Sequence, residues 1–153
     1  MRAETAAARD VLRGRTAACV LWLSISLYLL SLSQIAICLD PGECYRGWEV
    51  LAFGWLGIGQ LANLTWLANP LLFFGWLFAP SGPRFLAASF CGAALMIAGA
   101  FLFATEATGS APGGFLREAD LVSRGAGYWL WLASSATALA AALLFPRSKL
   151  RWP

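Results

Sequence analysis

Apolar residues run in four long blocks, 17–39, 48–79, 85–105 and 127–145, separated by short polar or turn-rich connections. A hydrocarbon core of ~30 Å is crossed by roughly 20 helical residues at ~1.5 Å each, so every block is long enough to span a bilayer. The pattern predicts an all-α membrane protein, one integral domain over 1–153 with four transmembrane helices at about 17–39, 57–79, 85–105 and 127–145. The second block is too long for one straight span, since it would make a helix of about 48 Å. It also contains Gly54, Gly57, Gly59, Gln60, Asn63 and the adjacent pair Asn69 and Pro70. Proline lacks an amide hydrogen and biases the preceding residue away from helix, so a kink or break is expected at Asn69 and Pro70. Trp48, Leu51, Ala52 and Trp55 follow i, i+3, i+4, i+7 spacing, which predicts an interfacial helix over 47–56 on the outer side. Two half-length segments meeting at Asn69 in a re-entrant arrangement are the alternative.

Within the first block, Ser24 and Ser31 fall on one helical face and Ser26 and Ser33 on the opposite one. Helix packing is the simplest use of such hydroxyls. The third block is rich in small residues; Ala88 with Gly92 and Ser89 with Ala93 make small-xxx-small pairs that permit close backbone approach. The 106–126 connection is turn-rich, and its 115–124 portion has the spacing of an amphipathic surface helix. Tyr128, Trp129 and Trp131 open the last block, where an outer aromatic belt belongs.

Charge orients this arrangement. Only 12% of residues are charged, against ~25% in soluble domains, and 59% are hydrophobic. Arg2, Arg9, Arg13 and Arg15 precede the first block, Arg84 ends the 80–84 turn, and Arg147, Lys149 and Arg151 follow the last block. The 39–49 and 106–126 connections are acidic instead, with Asp40, Glu43, Glu49, Glu106, Glu118 and Asp120 against Arg46, Arg117 and Arg124. The positive-inside rule puts both termini and the 80–84 turn in the cytoplasm, and a fifth span would violate it. The first block exceeds the usual h-region of a cleaved signal, and Ile37 before Cys38 is too large for lipoprotein processing. It reads as an uncleaved helix. Abundant Ala, Gly and Arg with a single Lys suit a GC-rich bacterial genome, and hence an inner membrane. Topogenic charge explains the basic tails, so no nucleic-acid partner is expected.

The chain has no histidine, which removes the commonest general base, the usual haem ligand and most zinc sites. The charged residues all fall at helix ends or in loops, so the intramembrane acid of a small four-helix multidrug exporter is missing. No catalytic, cofactor-binding or metal site is assigned, and no cofactor is expected. Cys19 and Cys91 read as small apolar fillers. Cys38 and Cys44 flank a Pro-Gly turn on the outer side and are expected to form a disulfide, most simply a loop staple. Catalytic dithiols typically have two intervening residues, and this pair has five. The four-helix quinone-linked disulfide oxidases carry cysteine pairs in both outer loops, whereas 106–126 has none. Gln60 and Asn63 lie one helical turn apart and, with Asn69, are the polar groups available to hold helices together or line a small cavity.

The elements GWLG at 54–57, WLANPL at 66–71 and YWLWLAS at 128–134, behind an outer cysteine loop, resemble a group of small bacterial inner-membrane proteins. The resemblance covers about half the chain; it implies four spans and supplies no activity. The leading expectation is a non-enzymatic accessory or scaffold subunit, a homo-oligomer or one bound to a larger membrane partner. Gly92 and the Gln60, Asn63, Asn69 and Pro70 region would make the contacts. The alternatives are an oligomeric transporter of a small neutral or amphipathic molecule and a thiol oxidoreductase using Cys38 and Cys44.

Overall fold

The computed structural model describes residues 2–40, 42–57, 61–110 and 116–146. The chain is mostly helical but carries a small antiparallel sheet, so it is not all-α. Helix α1 covers Arg2–Ser33, β1 Ile35–Leu39, β2 Glu43–Arg46, α2 Gly47–Phe53, α3 Ala68–Phe78, α4 Arg84–Ala100, β3 Glu106–Ser110, β4 Leu116–Arg124 and α5 Ala126–Leu144. Segments of 3₁₀ helix occupy Gly54–Gly57, Leu61–Leu67 and Phe101–Phe103.

Among the described residues, three helices are long and apolar enough to cross a membrane: Arg9–Ser33, Arg84–Phe103 and Ala126–Leu144. The apolar stretch Leu64–Phe78 is shorter. Two expected boundaries move. The first helix starts far upstream of residue 17, because the Ala- and Arg-rich tail is itself a strong helix former. It ends at Ser33, not 39, and the apolar run continues as the β-branched strand around Ile35 and Ile37.

The second block is not one kinked helix over 57–79. Its first part is α2 and a 3₁₀ turn, close to the expected 47–56 helix, and regular α-helix resumes only at Ala68. Pro70 sits in the first turn of α3, where a missing amide hydrogen costs least. The carbonyl it leaves without an i+4 donor belongs to Trp66, and the Asn69 side chain supplies the replacement, Nδ2 to Trp66 O at 3.1 Å.

The two connections at one end of the helices fold together in the order β2-β1-β4-β3, all neighbours antiparallel. Of the segment 115–124, residues 116–124 therefore form a strand and not a surface helix. A lone helix of that length is marginal in water, whereas β1 presents a ladder to pair with. Its burial has period two, with Ala119 and Leu121 turned inward and Asp120 and Val122 exposed. Gly42, at φ +105°, closes the β1–β2 turn in a conformation that L side chains rarely adopt.

The largest helix contact is α1 against α5. Ala17, Ser24, Tyr28 and Ser31 are buried along α1 at heptad-like spacing, facing Gly127, Ser134, Ala138 and Ala141 of α5. Such small side chains let the backbones approach closely. Helix α4 buries Ala87, Cys91, Ala94 and Ala98. Its contact with α3 depends on Gly75, where a Cβ would run into Cys91 Sγ. At the sheet end, Ile37, Leu39 and Ala107 pack on Phe101 and Tyr128. Gly14 and Pro146 approach each other at the opposite end, so the entry to α1 and the exit of α5 are neighbours.

Candidate functional site

A pocket of about 140 Å³ lies where the helices meet the sheet. Tyr28 and Ser31 of α1, Ile37 of β1 and Tyr45 of β2 contribute to its lining. Glu49 and Val50 of α2, Trp66 and Asn69 before and in α3, and Tyr128 and Trp131 of α5 contribute further. The lining thus comes from α1, the β1–β2 hairpin, α2, the start of α3 and the start of α5, with Phe101 after α4 and Ala107 in β3.

Asn69 organises one wall. It is 7% exposed, and its Oδ1 accepts from Tyr28 OH and Trp131 Nε1, both at 3.0 Å. Together with the bond to the Trp66 carbonyl, one amide joins α1, α5 and the start of α3. This arrangement uses both acceptor sites of Oδ1 and leaves one N–H on Nδ2. Trp66 is held in turn by Nε1 to Leu51 O at 2.9 Å, which anchors α2 against the 3₁₀ segment. Tyr128 donates to Ala98 O at 3.0 Å and Ser31 to Tyr28 O at 2.6 Å.

Further from the sheet, Ser24 and Ser134 are fully buried and bond reciprocally, each hydroxyl to the other's carbonyl, at 2.8 and 2.9 Å. Trp76 Nε1 donates to Ser24 Oγ at 3.0 Å. At the pocket's edge, Arg124 donates to Phe101 O and Ala104 O at 2.7 Å each, with its guanidinium 5.4 Å from the Phe101 ring centre. It caps carbonyls of the 3₁₀ segment that follows α4, a favourable place for a cation.

The residues singled out in the sequence are distributed unevenly. Cys38 and Cys44 are register partners in β1 and β2 and form a disulfide, with Cα atoms 4.0 Å apart. The neighbouring Ile37 and Tyr45 line the pocket. Gln60 lies outside the described residues, as does the side chain of Asn63. Asn69 is the hub, and Pro70 sits one residue beyond it. Gly92 is on α4 away from its buried positions, and an added Cβ there would meet no atom within 4 Å.

Tyr128 and Trp131 do not form an aromatic belt. Tyr128 is 3% exposed and Trp131 partly buried, both held by internal hydrogen bonds, while Trp129 alone of the three is exposed. Tyr28, Trp66 and Glu49 were not singled out as site residues. The common face of Ser24 and Ser31 was a signal for Tyr28, which lies one turn from each on the same side. Among the described residues, no group of three His, Cys, Asp or Glu side chains could hold a metal ion. Comparison with protein-family models, with curated proteins and with solved structures finds no match to this chain.

Proposed function

We propose that this chain is a four-span bacterial inner-membrane protein that binds a small amphipathic molecule in the pocket beneath its outer sheet. The pocket itself carries the reading. It is concave, mostly apolar and aromatic, and contains a few convergent polar groups held rigid by their own hydrogen bonds, as ligand sites generally are. A cavity of ~150 Å³ holds a benzene-sized body, so 140 Å³ suits a ring or short branched chain.

The membrane setting is supported by the outward faces of the helices. Trp22 (68% exposed), Phe85 (78%) and Met96 (76%) would be an aggregation liability in water. A fourth crossing is supported by simple geometry. Leu61–Leu67 as 3₁₀ helix and Ala68–Phe78 as α-helix together reach about 30 Å, the hydrocarbon thickness. With the basic tails and 80–84 turn cytoplasmic, the sheet and the disulfide lie on the oxidising side. The internal use of Asn69 removes it from any partner-facing surface, which favours handling of a small molecule over a purely scaffolding role.

The test is purification in lipid nanodiscs followed by native mass spectrometry, comparing the native chain with Val50→Trp, which fills the pocket. A bound small molecule present on the native chain and lost from the folded variant is expected. Identical bound species on both proteins would refute the reading.

A further inference from the structure

If the pocket is a ligand site, its hydrogen-bonding groups are unbalanced in a way that selects a ligand class. The side-chain donors of Tyr28, Ser31, Trp66, Tyr128 and Trp131 are all engaged with protein acceptors at 2.6–3.0 Å. Tyr45 likewise donates to Glu43 Oε2 at 2.7 Å. Among these groups, acceptor capacity remains on the Tyr28, Ser31 and Tyr128 oxygens, against one further N–H on Asn69. The lining also includes one carboxylate, Glu49, half-buried in the first turn of α2. Its Oε2 accepts from the Arg46 backbone at 2.6 Å, and no ion pair joins it to a described residue. Arg124, the cation nearest the Phe101 wall, is already tied to two carbonyls. Aromatic faces complete the lining, and an aromatic wall beside a carboxylate favours a cation. The exposed Asp40, Glu43, Glu106 and Asp120 give the same end of the molecule a negative field that draws cations toward the mouth.

We propose that the pocket selects a protonated amine carried on a small apolar or aromatic body, with Glu49 as its counter-charge. The proposal rests on the pocket being a ligand site, and three size-matched probes separate the two claims: benzylammonium, benzyl alcohol and benzoate. Binding is read by tryptophan fluorescence in zwitterionic nanodiscs, with Val50→Trp as the blocked control. Benzylammonium is expected to bind roughly tenfold more tightly than benzyl alcohol, and benzoate more weakly than either. Glu49→Gln should bring the amine-to-alcohol ratio close to one, and Glu49→Asp, which keeps the charge, should retain the preference. Alcohol binding without an amine preference, or a preference that survives Glu49→Gln, overturns the amine assignment alone. Failure of all three probes to bind the native chain more tightly than the blocked control overturns the pocket as well.

Discussion

Replacing Asn69 by alanine should loosen the whole sheet end of the bundle, because three groups lose a partner at once. The Tyr28 hydroxyl and the Trp131 indole both donate to Oδ1, and the Trp66 carbonyl receives an Nδ2 hydrogen bond in place of the one Pro70 cannot make. Side-chain hydrogen bonds between membrane helices average ~0.6 kcal/mol and reach ~1.7 kcal/mol, because the unfolded chain in lipid also finds partners. Three of them give a loss of about 2–5 kcal/mol for Asn69→Ala. Tyr28→Phe removes one bond and should lose about 0.6–1.7 kcal/mol. The double variant should lose less than the sum, since the shared bond is broken only once. Unfolding in mixed micelles of rising dodecyl sulfate fraction, followed by tryptophan fluorescence, measures all three proteins. A loss below about 0.5 kcal/mol for Asn69→Ala, or strict additivity with Tyr28→Phe, would refute the hub.

Two further outcomes are expected from the same unfolding assay. Gly75→Ala forces a methyl group into Cys91 Sγ and should lose about 1–3 kcal/mol, whereas Gly92→Ala meets no neighbour and should be neutral or stabilising by up to ~1 kcal/mol. Equal effects at the two glycines would contradict the α3–α4 contact. Replacing Cys38 and Cys44 together by serine opens a short loop and should lose about 2 kcal/mol, with reductant lowering the native chain by the same amount and leaving the variant unchanged. Thiol trapping in cells should find this pair oxidised throughout growth. Cycling between redox states would instead favour the thiol oxidoreductase alternative.

The apolar blocks located the long helical segments and showed that the second block is not one straight helix, although the irregular stretch precedes Ala68 and Asn69 and Pro70 lie in the first turn of α3. Hydrophobic blocks and proline act through local chain properties, so they are legible residue by residue. The Cys38–Cys44 pairing was legible for the same reason, since a turn of that length brings its own ends together. The sheet was not. Residues 35–39 continue an apolar run, and 115–124 fits helical and alternating patterns alike. What decided them was the arrival of both connections at one end of the bundle, where each folds into a hairpin and the two hairpins join through β1 and β4. Residue type alone likewise could not separate an interfacial tryptophan from an internal donor. Trp131 became the latter only because the packing of α1, α3 and α5 brought Asn69 within 3.0 Å of its ring nitrogen. The pocket is decided at that same level, because Tyr28, Glu49, Asn69 and Trp131 are far apart in sequence and converge only when a close-packed bundle is capped by a sheet.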